Sequence, residues 1–205
     1  MKNLLEKNSG ESRQIILVAG DDPPSTSAKV HFFEKNENYW YPVFEPVDAS
    51  TGRNGFALPG KKREGDGKTP SGIYPLGFAF GYLSDIDTKM NYFRTTESDV
   101  WVDDIDSPDY NCWVKKEQTR AKSFENMKRN DNVYKYAIVI GYNTNPVVRG
   151  FGSAIFLHVW RGSHKPTAGC VAISENNMVS FLSKLDASKK PLIIMGVATT
   201  MMDDF

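Results

Sequence analysis

Cysteine is scarce in this chain: Cys112 and Cys170 are the only two among 205 residues. At most one disulfide can form, so a small scaffold stapled by bridges is excluded. Net charge is missing as well. Twenty-five basic residues balance twenty-five acidic ones. That leaves no electrostatic footprint for nucleic acid or for an anionic membrane surface as an obligate partner. No apolar run approaches the length of a membrane span, so no integral membrane segment is expected. Residues 1–12 are polar and charged, unlike a secretory signal; either the protein is cytoplasmic or its export segment is absent from this chain. There is no internal repeat and no low-complexity linker. The expectation is a single domain over residues 14–197, with flexible termini at 1–13 and 198–205.

What is present is a well-supplied core, with 40% apolar residues, patterned mainly for strands. Residues 14–19 form an apolar, β-branched run closed by Gly20-Asp21-Asp22-Pro23-Pro24, which reads as a strand and a turn. Residues 28–34 alternate, with Val30 and Phe32 on one face. Pro42 and Pro46 mark residues 39–47 as an edge strand. The opening third therefore reads as an antiparallel meander. Residues 136–141, Tyr-Ala-Ile-Val-Ile-Gly, read as a buried strand, and 192–197 as a final one. Ser174 is a good N-cap, and Met178, Phe181, Leu182 and Leu185 fall at helical spacing. Ala121, Phe124 and Met127 predict a short surface helix over 117–129. The acidic stretch 81–112 reads as a solvated insertion, with Trp101, Tyr110 and Trp113 packing on the sheet and Cys112 as a small buried side chain.

Chemistry concentrates in residues 153–174. An apolar run from Ala154 to Leu157 ends on His158. A turn-rich loop with Gly162, Ser163 and Pro166 follows, then Thr167-Ala168-Gly169-Cys170 and a second apolar run, Val171 to Ile173. A cysteine needs a base to become a thiolate near neutral pH, and histidine suits that work. Gly169 lets a substrate carbonyl approach the Gly169 and Cys170 N–H groups, a potential oxyanion site. The stretch thus offers a nucleophile, a base and an oxyanion site.

These residues resemble the signature of the YkuD-type L,D-transpeptidase catalytic domain, a His followed by Ser/Thr-His-Gly-Cys. The match runs through His158, Thr167, Gly169 and Cys170. Ala168 stands where the pattern has a second His, Ala172 where Asn or Arg is common, and the spacer is a few residues short, as in a divergent branch. A second block, Lys68-Thr69-Pro70-Ser71-Gly72-Ile73-Tyr74, resembles the family's Thr-Pro-x-Gly-x-aromatic segment, which shapes the sheet beside the cleft.

The resemblance implies a mainly β fold, a mixed β-sheet or sandwich with a few flanking helices. It implies acyl transfer on peptidoglycan stem peptides through a Cys170 thioester, with His158 as base oriented by the Val159 carbonyl. Trimming as an L,D-carboxypeptidase and a non-catalytic wall-binding module are the alternatives. Arg161 is a candidate for a substrate carboxylate, with Trp160 and Thr167 beside it. Carbapenem-type inhibitors are expected to acylate the nucleophile. No cofactor is called for, and the location implied is extracytoplasmic, periplasmic or lipid-anchored.

Three other readings are weaker. Residues 60–72 suggest a phosphate loop, but Lys62 stands where that motif needs glycine, and Gly72, Pro75 and Gly77 break the helix that should follow. His158, His164 and Cys170 fit no common zinc spacing, so no metal is expected. His31, inside a strand, reads as a structural histidine, and His164 as solvent-facing.

Overall fold

The structure, a computed structural model, describes residues 2–22 and 24–204. Helix α1 (Lys2–Asn8) precedes β1 (Gln14–Gly20), β2 (Ser27–Asn36), β3 (Tyr39–Pro42), β4 (Val47–Ser50), β5 (Phe56–Ala57) and β6 (Thr69–Pro70). Then follow β7 (Gly72–Gly81), β8 (Tyr92–Arg94), β9 (Asp99–Val102), β10 (Trp113–Lys115), β11 (Phe124–Asn126) and β12 (Tyr136–Ile140). The chain ends with β13 (Phe156–Val159), β14 (Val171–Ile173), α2 (Glu175–Lys184), β15 (Leu192–Val197) and α3 (Ala198–Asp204). The architecture is mainly β, as the sequence pattern implies.

The principal sheet runs β1-β15-β7-β12-β13-β14-β4-β2-β3, and β8 pairs with β7. It also closes on itself. Strand β2 lies antiparallel to β1 along one edge and divides its other edge between β4 and β3. The long β2 therefore leaves β3, with its proline, at the edge, where a missing donor costs no ladder bond.

The central strands are buried on both faces, which explains their nearly continuous apolar sequences. On β12 and β13, Ile138, Ile140, Leu157 and Val159 face one core, which also holds Phe32, Met178, Phe181 and Leu182. Helix α2 covers that side, capped by Ser174, whose hydroxyl accepts from the Asn177 N–H at 3.3 Å. Ala137, Val139 and Phe156 face the opposite way, into a second cluster with Phe80, Trp101, Tyr134 and Cys170. The period of two thus puts Phe156, and with it His158, on the face turned away from α2.

What covers that second face departs from expectation. Residues 81–112 are not a solvated insertion, because β9 pairs with β10 and β11 in a separate three-stranded sheet. Its aromatic underside packs on the principal sheet, with Trp101 and Phe156 ring centres 5.0 Å apart and Phe80 and Trp113 5.3 Å apart. Three of the acidic residues tie turns and strands together, while Asp85, Asp87, Glu97 and Asp106 are exposed as expected. Asp99 accepts from Trp113 Nε1 and Thr96 Oγ1, Asp104 from the Lys122 N–H, and Asp109 from Thr119 Oγ1.

The same contacts overturn the surface helix expected over 117–129. One 3₁₀ turn, Lys116–Gln118, is followed by β11, which pairs with β9. Tertiary pairing outweighs a weak helical pattern here. Cys112 is exposed rather than buried, in the turn after Asn111 (φ +58°). Within the termini, α1 and α3 are helical, and Leu4, Leu5 and Met201 are buried against β1 and β15 side chains; residues 1 and 205 lie outside the described residues.

Candidate active site

Strands β13 and β14 run parallel, with His158 registered opposite Ala172. Cys170 lies two residues before Ala172 and so shares the face of His158. Strand spacing and rise place the two residues diagonally, roughly 8 Å apart at Cα. Both line one cavity of about 90 Å³, together with Glu125, Arg129, Tyr134, Arg161 and Thr167. Cys170 also borders a second cavity of about 160 Å³, lined by Arg53, Lys62, Glu64, Asp103, Glu125 and Ser153.

The histidine is oriented by its own strand. His158 Nδ1 lies 2.8 Å from the Val159 carbonyl. A carbonyl only accepts, so Nδ1 carries the proton and Nε2 is the basic nitrogen. The Tyr134 ring meets the imidazole edge-on at 5.4 Å. Burial pushes the His158 pKa down to about 4, against the bond to Val159, which raises it; Arg129 and Arg161 lower it further. The imidazole is therefore neutral at physiological pH.

Cys170 is 7% exposed. Its thiol donates to the Ala154 carbonyl at 3.2 Å, and the Phe156 N–H donates to Sγ at 3.4 Å. Burial, and secondarily the carboxylate of Glu125, push its pKa up to about 12, while the Phe156 N–H and Lys62 pull the other way. The resting pair is thus thiol and neutral imidazole. Cys112 and Cys170 are both free.

The two sequence blocks meet at the Cys170 carbonyl. Thr167 Oγ1 donates to it at 2.7 Å and Thr69 Oγ1 at 3.4 Å, while Thr69 Oγ1 accepts from the Gly52 N–H at 2.9 Å. The Gly169 N–H donates to Thr167 Oγ1 at 3.0 Å. Gly169 has φ +152°, and a Cβ there would lie 2.9 Å from the Lys68 carbonyl oxygen. Only glycine takes that conformation and that approach at once.

Of the residues singled out from sequence, Cys170, His158, Arg161 and Thr167 line the first cavity. The Thr167 hydroxyl is committed to Cys170 and Gly169. Trp160 is not in that cavity; it borders a neighbouring groove with Val159, Arg161 and Glu175. His164 is exposed. Among the described residues no three His, Cys, Asp or Glu side chains gather to hold a metal ion, and no helix is long and apolar enough to cross a membrane.

The family model for the L,D-transpeptidase catalytic domain, YkuD, matches residues 21–194. The chain belongs to this family. The L,D-transpeptidase family is one of peptidoglycan enzymes, whose substrate lies outside the cytoplasm. Two solved structures align with the domain: the helical cell shape determining protein Pgp2 from Campylobacter jejuni, at 19% identity and TM-score 0.50, and a point mutant of it, at 18% and 0.49. Each alignment covers 95% of this chain, which spans about half of the Pgp2 chains (54% and 53%). At that identity the likeness concerns the fold. No match is found among curated proteins.

Sequence reasoning missed three residues that line the cavities around Cys170. Glu125 arrives on β11, Tyr134 just before β12, and Lys62, 4% exposed, from the loop before β6. None has a local signal, because each is brought to Cys170 by pairing or packing far away in sequence.

Proposed function

We propose that this domain performs cysteine-dependent acyl transfer on peptidoglycan stem peptides. The observation that carries the proposal is the shared face of Cys170 and His158 in one cavity, with the histidine tautomer set by Val159. His158 Nε2 removes the thiol proton as Sγ attacks the carbonyl before the terminal D-amino acid of a stem. Because both groups rest neutral, proton transfer and attack belong to one step rather than to a standing ion pair. The Gly169 N–H is held by Thr167, so the oxyanion falls chiefly to the Cys170 N–H. The tetrahedral intermediate collapses, His158 returns the proton to the departing amino group, and a thioester remains on Cys170.

An amine of a second stem then attacks the thioester, giving a cross-link and regenerating the thiol. Arg161, exposed at the cavity mouth and 3.7 Å from Asp131, is assigned to a substrate carboxylate, which its planar fork suits.

The test is incubation with a defined tetrapeptide stem, following the released D-amino acid, the protein-bound thioester and the products. Cross-linked dimer with loss of all signals in Cys170→Ala supports the proposal. Tripeptide alone shifts the assignment to trimming. Binding of the stem without turnover, unchanged in Cys170→Ala, contradicts acyl transfer and favours a wall-binding module.

A further inference from the structure

Glu125 carries a buried carboxyl that makes no ion pair among the described residues. It lines both cavities that flank Cys170. Strand β11 pairs Glu125 with Trp101 of β9, so its side chain falls on the face opposite to those of Phe124 and Asn126. Oε2 accepts from the hydroxyl of Tyr134, a buried residue whose ring rests against His158. No hydrogen bond to Oε1 is found among the described residues. The carboxyl is thus fixed relative to the base and the nucleophile, with one oxygen open to the cavities.

Its surroundings leave a positive charge wanting. Although the residue as a whole is half-buried, its carboxyl is enclosed, and burial raises its pKa; Asp103 and Glu64 raise it further, while Tyr134 and Arg129 lower it. Arg129, the cation acting on it, is held in a two-bond pair with Asp131 at 2.9 and 3.0 Å. Lys62 is bound to Asp66 at 2.6 Å. At Glu125 a cationic group therefore gains a partner, while Arg161 at the mouth of the same cavity serves an anionic one.

We propose that Glu125 receives the ammonium group of the acyl acceptor and takes its first proton. The inference rests on the acyl-transfer reading above. The acceptor enters as R–NH₃⁺ beside the Glu125 carboxylate. One proton passes to Glu125, and the freed nitrogen lone pair forms the new C–N bond to the thioester carbonyl. The C–S bond breaks as the tetrahedral adduct collapses, and the second nitrogen proton passes through His158 to the departing Cys170 thiolate. Glu125 returns its proton to solvent. No redox partner is needed. Glu125 is thus a catalytic residue of the second half-reaction, selecting a primary ammonium over water.

The experiment forms the acyl-enzyme from a tetrapeptide stem and chases it with one of two nucleophiles. Glycinamide is largely protonated near neutral pH, whereas hydroxylamine is neutral there and needs no base to expose its lone pair. Glu125→Gln retains an acceptor for the Tyr134 hydroxyl. It is expected to slow transfer to glycinamide by about a hundredfold while transfer to hydroxylamine persists. Equal glycinamide rates in the two proteins overturn the inference. So does a parallel fall with both nucleophiles, or failure of Glu125→Gln to acylate, since either makes Glu125 merely structural. Glu125→Asp, which keeps the charge, should recover part of the glycinamide rate. If the native chain forms no acyl-enzyme, the acyl-transfer reading itself has failed, and this assignment with it.

Discussion

The Cys170 thiol donates to the carbonyl of Ala154, a residue at φ +53°, and no hydrogen bond joins it to His158 among the described residues. The thiol is therefore parked, protonated, against the segment that leads into β13, the strand of His158. The proposed first step requires Sγ to leave Ala154 O and face the imidazole as substrate fills the cavity.

Alkylation of the unliganded protein should report that parked state. With the Cys170 pKa pushed up to about 12, the thiolate is scarce near neutral pH. The rate with iodoacetamide at Cys170, followed by peptide mass, should keep rising with pH well beyond the range where an ordinary cysteine levels off. A plateau near pH 9 would contradict a buried, parked thiol.

His158 should make stability depend on pH. Its pKa is 6.5 unfolded and about 4 folded. Between those values the unfolded chain binds the extra proton, so stability from this group is complete above about pH 6.5 and declines as pH falls toward 4. The full difference is about 3 kcal/mol. Denaturant midpoints measured across that window should slope less in His158→Gln than in the native protein.

Gly169→Ala should cost stability and activity together. The added Cβ meets the Lys68 carbonyl oxygen at 2.9 Å, at φ +152°. Such strain costs about 1–3 kcal/mol, visible as a lower melting temperature, and acyl-enzyme formation should fall because Cys170 is the next residue. An unchanged melting temperature would mean that the backbone there is free to relax.

Thr167 separates positioning from binding. Its hydroxyl serves the Cys170 carbonyl and the Gly169 N–H, so Thr167→Val should lower kcat more than it raises KM and cost about 1–2 kcal/mol of stability. Thr167→Ser keeps the hydroxyl and should recover most of the rate. A pure rise in KM would assign Thr167 to substrate instead.

Much of this is legible in the sequence. Strand β13, strand β14 and the intervening loop follow from apolar runs punctuated by Gly and Pro, and the Cys/His pair sits inside that local pattern. Helix α2 follows from its cap and spacing. The covering sheet was not legible, because its strands are three or four residues long and its acidic residues read as solvent-facing until their turn bonds are known. The helix expected over 117–129 failed for the same reason: pairing of Phe124, Glu125 and Asn126 with β9 is a long-range event. Glu125 was lost with it, since a residue assigned to a surface helix cannot be foreseen beside Cys170.

The central claim is that Cys170 is an acyl-accepting nucleophile. Intact-mass measurement after incubation with a carbapenem, with Cys170→Ala and His158→Ala alongside, tests it most directly. The account predicts a single drug adduct on the native chain, none on Cys170→Ala, and much slower formation on His158→Ala. No adduct on the native chain, or an adduct that survives in Cys170→Ala, would contradict it.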